Sequence, residues 1–309
     1  MNYPLALLAA IALSSAQLRA QTTPPPEPPP RARDLIGDYA AGDRVVYVTE
    51  VAGQLKVRSG LFSSRPLDSP GVRLTDGILW IGDQRFTRRD AAQGTFRITP
   101  RRAVEELRRE ALAAVPPAQS DTLRAPGLVE LRALEPGIKY DIRYATTNNF
   151  MSAVFYSQAK AFLQRPAAEA VVRAHRALNK LGYGLLIHDA YRPWYVTKMF
   201  WDATPDSMRD FVADPRFGSR HNRGAAVDLT LYDLKTGQAV EMPSGYDEFS
   251  TRAYPEYPGG TARQRWHRDL LRRVMEAEGF RVYNVEWWHF DYQDWRLYPV
   301  LNRRFEEIG

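Results

Sequence analysis

Five histidines (His175, His188, His221, His267 and His289) and no cysteine occur in the 309 residues. The missing cysteines remove disulfide scaffolds, thiolate zinc sites, iron–sulfur clusters and thiol nucleophiles together. Any metal must then sit on His, Asp or Glu. His221 lies in Ser219-Arg-His-Asn-Arg-Gly-Ala-Ala-Val-Asp228, where Asp228 opens an apolar strand and its charge is costly to bury without a counter-charge. A metal would supply that charge; the competing reading is an exposed loop histidine with Asp228 paired to Arg223. On one continuous helix residues 221 and 228 would rise ~10 Å apart, awkward for two ligands that each need ~2 Å contacts to one ion. Gly224 is therefore expected to break the chain, leaving His221 on a loop that turns into a strand beginning near Ala225.

Glu286-Trp-Trp-His289 is the second constellation. Residues three apart on a regular strand face opposite sides, so joint action of Glu286 and His289 requires a turn or bulge. With that bend His289 becomes a third ligand, and a His/Asp/His set leaves zinc an open position for water with Glu286 as a non-ligating base. Trp287 and Trp288 read as packing or pocket wall. In His188-Asp-Ala-Tyr-Arg-Pro193 the strand ends and proline forces a turn. Arg192 there is placed to stabilise a developing oxyanion, or simply to fasten the turn through Asp189. His175 and His267 are expected at the surface and His188 at a strand end in the core.

The elements that must position these residues fall in two parts. From about Ile36 to Pro100, the runs Arg44–Glu50, Gln54–Arg58, Gly77–Ile81 and Thr95–Ile98, separated by turn residues such as Ala52-Gly53 and Gly82-Asp83, read as a small antiparallel β unit. It contains no histidine. A helix over Pro100–Ala114 follows, ended by Pro116-Pro117. The second part begins near Gly127. A helix over Ala167–Leu181 has Pro166 before it and Gly182 after it, and strands follow at Tyr183–His188, Ala225–Tyr232 and Phe280–Val285. A helix over Thr261–Glu278 is opened by a threonine cap and closed by Gly279. Its Arg263–Arg273 stretch reads as a solvated face. Few strands mixed irregularly with helices indicate α+β.

The apolar run Pro4–Leu13 is about half of the ~20 residues that span a bilayer. Small residues follow it, so residues 1–20 read as a signal peptide with Ala16 and Ala20 as cleavage positions, implying an exported, periplasmic protein. No cysteine follows the run, so a lipid anchor is excluded, as is a stable membrane anchor after cleavage. Residues 21–33, with Pro24-Pro-Pro-Glu-Pro-Pro-Pro30, read as an extended linker forming neither helix nor sheet. The expected division is 1–20 signal peptide, 21–33 linker, 34–115 β module with its trailing helix, and 127–309 catalytic domain. Lys and Arg total 42 against 36 Asp and Glu, a net charge of +6 without a clustered stripe or recognition motif, so no nucleic-acid partner is expected.

Together, Ser219-x-His221-x6-Asp228, Glu286-Trp-Trp-His289 and Asp189-Ala-Tyr-Arg-Pro193 resemble the zinc D-alanyl-D-alanine dipeptidases, the vancomycin-resistance X-type branch of the M15 metallopeptidases. Ile142-Arg-Tyr-Ala-Thr146 with Asn149-Phe150, Asp228-Leu-Thr-Leu-Tyr232 and Asp247 extend the resemblance over roughly Val129–Pro299. It implies a zinc D-Ala-D-Ala dipeptidase-like catalytic domain, a central antiparallel sheet with flanking helices, preceded by a small all-β module without counterpart in minimal dipeptidases. It implies one Zn2+ on His221, Asp228 and His289, Glu286 as general base and Arg192 as stabiliser of the tetrahedral intermediate. Tyr144, Ser219 and Asp247 would line the pocket for the dipeptide D-Ala-D-Ala, Asp247 and Ser219 holding its ammonium, with Asp189 behind Arg192. Asn222 and the tract Pro255–Thr261 depart from the family forms. A carboxypeptidase acting on longer peptidoglycan stems is the nearest alternative, and a non-catalytic wall-binding protein is a third.

Overall fold

The computed structural model describes residues 23–60, 63–89 and 96–308. The apolar run Pro4–Leu13 and its cleavage positions lie outside them. No helix among the described residues is long and apolar enough to cross a membrane. The protein is mixed α+β and divides into two compact units, one taking the chain up to Ala91 together with Pro258–Leu270, the other Ala92–Tyr257 with Leu271–Gly309.

In the first unit seven short strands pair antiparallel in the order β4-β3-β2-β1-β7-β6-β5: β1 (Gly37–Ala41), β2 (Arg44–Val51), β3 (Gln54–Ser59), β4 (Ser63–Pro66), β5 (Val72–Thr75), β6 (Ile78–Ile81) and β7 (Gln84–Arg89). Alternate residues point inward, so Val46 and Val48 of β2 meet Tyr39, Val57, Leu79 and Phe86 in one apolar core. Ala52 and Gly53 both take positive φ (52° and 79°), the conformation of a two-residue hairpin turn between β2 and β3. Pro30–Arg33 forms a single helical turn, where the sequence suggested no helix; proline is tolerated there because the first helical N–H has no intrahelical partner anyway.

Residues 258–270 close this unit, and the arginines there are not a solvated face. Arg265 donates to the carbonyls of Glu50 (2.6 Å) and Gly260 (2.7 Å), and burial pulls its guanidinium down to about 10. Arg268 is buried too. Arg265 serves backbone carbonyls and Arg268 donates to the Asp269 carboxylate at 2.9 Å, where the charge pattern suggested water.

The second unit holds a sheet in the order β13-β14-β12-β11-β9, made of β9 (Lys139–Tyr140), β11 (Tyr183–Asp189), β12 (Ala226–Asp233), β13 (Phe280–Tyr283) and β14 (Glu286–Tyr292). It is antiparallel except where the edge strand β9 runs parallel to β11. A separate pair joins β8 (Leu128–Glu130) to β10 (Phe162–Gln164). The longer helices are α1 (Val104–Ala113), α2 (Arg165–Asn179), α3 (Trp194–Ala203) and α4 (Ala262–Ala277), the last crossing the boundary between the units. Helix α2 buries Ala167, Ala170, Val171, Ala174 and Leu178. Helix α1, which the sequence grouped with the β strands, belongs to this unit: it buries Leu107 and Ala111, and Arg108 lies 5.8 Å over Phe155.

The run ending at Ile98 is not a strand. Thr95 lies outside the described residues, and Ile98 instead donates its N–H to the Phe150 carbonyl at 2.8 Å. His175 and His267, expected at the surface, are buried. His175 stays there because its Nδ1 accepts the Leu185 N–H at 3.1 Å, and burial lowers its pKa.

Candidate metal and active site

Strand pairing builds most of the site. In the antiparallel register of β12 against β14, Asp228 stands directly opposite His289. His221 reaches them from a short 3-10 turn, His221–Arg223, closed by Gly224 at φ +63°, which is the break the spacing required. A Cβ at Gly224 would come within 2.4 Å of Leu128, so both the left-handed conformation and the close approach demand glycine. Glu286 and His289 reach one side because the β13–β14 pairing is irregular: Val282 faces Phe290 while the next residue, Tyr283, faces Glu286. The carboxylate of Glu286 then lies 3.9 Å from His289 Nδ1.

His221 Nε2, His289 Nδ1 and Asp228 Oδ1 converge. The two nitrogens are 3.0 Å apart, and the carboxylate oxygen is 3.3 Å from the first and 3.0 Å from the second. The outward nitrogens fix both tautomers. His221 Nδ1 is 2.6 Å from the Ala190 carbonyl and His289 Nε2 is 2.9 Å from Asp291 Oδ1, and each of those partners only accepts. Neutral rings therefore turn two lone pairs and a carboxylate toward one point, which calls for a cation. Without a metal, a proton fills that role: although burial opposes the charge, Asp291 and Asp228 push His289 up to about 10. Burial likewise opposes ionisation of Asp228, yet the two histidines hold it far below the usual carboxylate range. All three groups are buried and can hold a metal ion. The pairing of Asp228 with Arg223 does not form, since Arg223 donates to the Tyr298 carbonyl.

The surrounding acids respond to burial and to one another. Burial, with the charges of Asp228 and Asp247, pushes Glu286 up to about 8. Burial and Asp228 push Asp247 up to about 7. Asp247 sits at φ +57° and accepts from the Tyr144 hydroxyl at 2.9 Å. Arg192 follows β11 in the loop before α3. Its Nε and Nη2 both donate to Asp189 Oδ2, at 3.0 and 2.8 Å, so the fastening ion pair exists, and the guanidinium still faces the pocket. Tyr144, Arg192, Ser219, His221, Asp228, Asp247, Glu286 and His289 all line one cavity of about 70 Å³, far below the ~300–1,000 Å³ of drug-sized sites. Asp189 lies behind it, completely buried.

Several supporting residues went unread in the sequence. Asp291 orients His289 and in turn sits 3.4 Å from Arg220; lying two residues beyond His289 on one strand, it shares that residue's face, a signal the alternation carries. Tyr246 donates to Asp228 Oδ2 at 3.0 Å and stacks on His188, and Tyr156 donates to Asp189 at 2.7 Å. Asn222 ties the His221 turn to the Arg192 carbonyl and to Thr197, each at 2.8 Å. Carboxylates that orient ligating histidines carry about 10–100-fold in metal affinity. Asp291→Asn is accordingly expected to weaken metal binding by about that factor in chelator competition, with the circular dichroism unchanged. Equal affinity would remove Asp291 from this role.

A family model for M15 peptidases, described as D-Ala-D-Ala dipeptidase, matches residues 124–308, more than half of the chain. The chain belongs to the M15 peptidase family. It is thus a metallopeptidase, and the match covers every residue of the site just described. The D-alanyl-D-alanine dipeptidase of Escherichia coli K12 is 34% identical over 178 residues, covering 58% of this chain and 91% of that protein. The D-alanyl-D-alanine dipeptidase of Enterococcus faecium is 32% identical over 189 residues, covering 54% and 92%. A solved structure of the LD-carboxypeptidase LdcB aligns over 62% of this chain and 80% of that one at 17% identity, with a TM-score of 0.30, too low to inform the fold.

Proposed function

We propose that this M15 peptidase is a zinc dipeptidase that hydrolyses free D-alanyl-D-alanine. The observation that carries the reading is the convergence of His221 Nε2, Asp228 Oδ1 and His289 Nδ1 beside Glu286 in a small buried pocket. The nitrogen and oxygen donor set suits zinc, which, once bound, acts as a Lewis acid that polarises a carbonyl and makes water a nucleophile at neutral pH.

The chain's own residues do the rest. Glu286 takes the proton of the attacking water and delivers it to the leaving amine; a cation beside it favours its ionised form, countering the effect of burial. Arg192, held by Asp189, points donors at the oxygen on which negative charge develops. Asp247 receives the substrate ammonium with Tyr144 and Ser219 beside it, and the cavity's size favours a substrate no longer than a dipeptide. Catalysis lies wholly in the second unit, and export to the periplasm, supported by the apolar run Pro4–Leu13, is part of the same reading.

The test is metal content and hydrolysis by the full chain. About one zinc per chain is expected, with free D-Ala-D-Ala cleaved in preference to a pentapeptide stem ending in D-Ala-D-Ala. Preference for the pentapeptide would establish a carboxypeptidase instead. Zinc bound without cleavage of either would establish a binding protein.

A further inference from the structure

A dipeptide zwitterion carries two charges, and the proposed function gives a partner to one of them. Asp247 takes the ammonium; the terminal carboxylate on the leaving residue still lacks a cation. Apart from the converging histidines, the small cavity is lined by two cationic side chains, Arg192 and Arg220. They differ in how much of their hydrogen-bonding capacity is already in use. Arg192 has a side chain only 10% exposed, gives Nε and Nη2 to Asp189, and is assigned the oxygen on which charge develops.

Arg220 is less committed. Its side chain is 36% exposed, and its nearest acceptor, Asp291 Oδ2, lies 3.4 Å from a buried Nε that makes no hydrogen bond. The two Nη groups make none either among the described residues. What holds the guanidinium is aromatic instead: it lies 5.6 Å from the Tyr283 ring centre and 5.1 Å from that of Trp295. Ring faces attract the cation without occupying its donors. An arginine held in this way keeps its planar fork open to a carboxylate. Asp210 lines the same wall but lies beyond ion-pair distance, so Asp291 is the one carboxylate in contact with Arg220.

The position of Arg220 suits the end of the substrate left unpaired. Tyr246, the neighbour of Asp247 in the chain, donates to Asp228 Oδ2. Asp291, the contact of Arg220, meets His289 at Nε2, the nitrogen turned away from the converging set. The acid assigned the ammonium therefore adjoins the Asp228 flank of the site and Arg220 the His289 flank. The point where the ligands converge lies between those flanks.

We infer that Arg220 binds the terminal carboxylate of the substrate and so selects peptides whose leaving portion is a single amino acid with a free carboxyl group. The inference deepens the dipeptidase reading and rests on it for the ammonium at Asp247. Water adds across the peptide bond and the C–N bond breaks. The first D-alanine leaves with the new carboxylate, and the second leaves as the free amine with its original carboxylate on Arg220.

The test compares D-Ala-D-Ala with D-Ala-D-alaninamide, which differ only in that carboxylate, on the zinc-loaded full chain and its Arg220→Gln variant. On the unaltered protein the amide should show a KM about tenfold higher, the lower end of what a hydrogen bond to a charged group contributes, because Arg220 is partly in solvent. Arg220→Gln should raise the KM of the acid to that of the amide, with the loss in KM and not in kcat or bound zinc. A merely structural loss would lower kcat for both substrates alike and overturn the inference. Acid and amide cleaved at one KM by the unaltered protein would overturn it while sparing the dipeptidase reading, and this comparison needs no variant to fold. A difference that survives in Arg220→Gln would give the carboxylate to another group and overturn it as well. The pentapeptide stem ending in D-Ala-D-Ala separates the two readings. If neither dipeptide is cleaved while the stem is, with an Arg220-dependent preference for its acid over its amide, Arg220 keeps its role and the dipeptidase reading falls. No cleavage of any of them would overturn both.

Discussion

Glu286→Gln is expected to lower turnover of D-Ala-D-Ala by about a thousandfold, within the 10²–10⁴-fold typical of a positioned acid–base group, while zinc content stays unchanged. The substitution keeps shape and burial and removes only the ability to carry a proton. Glu286 lies outside the converging set of His221, Asp228 and His289 and is 3.9 Å from His289, so its loss removes no ligand. Burial above all, and then the charges of Asp228 and Asp247, push Glu286 up to about 8, so replacing this carboxyl with a neutral amide removes an ill-favoured buried charge and the variant should fold at least as well. The decisive pair of measurements is kcat and bound zinc after dialysis. Turnover within a few-fold of the unaltered protein would give the proton transfer to another group, and zinc lost in parallel with activity would make Glu286 a ligand.

The triad was legible because its chemistry is local in type and its geometry is set by backbone rules. A buried Asp in an apolar strand, a histidine before a glycine break, and a Glu and His three apart each state a physical problem. The αL glycine at 224 and the irregular pairing at Tyr283–Glu286 are the solutions the chain uses. What could not be read is what depends on distant pairing. Nothing in the sequence near Asp228 announces that Tyr246 will donate to it, nor that Tyr156 will reach Asp189.

The same division runs through the fold. Strand β2 shows because its alternate valines are buried, whereas the four residues of β4 are all exposed and carry no apolar period. Helix α3 is hidden for the opposite reason: seven of its ten residues are buried, so it lacks the polar stripe by which a helix is recognised. The arginines of α4 mislead because charge predicts solvent only when no unsatisfied carbonyl is within reach, and Arg265 meets those of Glu50 and Gly260. His175 misleads in the same way, its ring accepting a backbone N–H inside the core.

Chelation should abolish hydrolysis and also change how the fold responds to pH. In the metal-free protein three groups near the site have folded-state pKa values above their ordinary ones: Glu286 at about 8, Asp247 at about 7 and His289 at about 10. A group raised in this way contributes stability that is complete below its unfolded pKa and is lost as pH rises through its folded one. The two acids therefore lose their contribution from about pH 4 up to about pH 8, and His289 from about 6.5 up to about 10. Asp228 is shifted downward, so its contribution is already complete above about pH 4 and adds no slope in this window. The metal-free protein should melt at progressively lower temperature between pH 5 and pH 9. On the proposed reading zinc would supply the positive charge that bound protons otherwise provide, and protons would compete with it for the same histidines, so its stabilising effect should grow with pH. Thermal unfolding in EDTA and in excess zinc, at pH 5 and pH 8, reads this directly. A larger rise in Tm at pH 8 than at pH 5, with hydrolysis restored by zinc, is the expected result. An equal rise at both pH values would mean that the buried acids are balanced by something other than the metal, and hydrolysis persisting in EDTA would take the metal out of the reaction altogether.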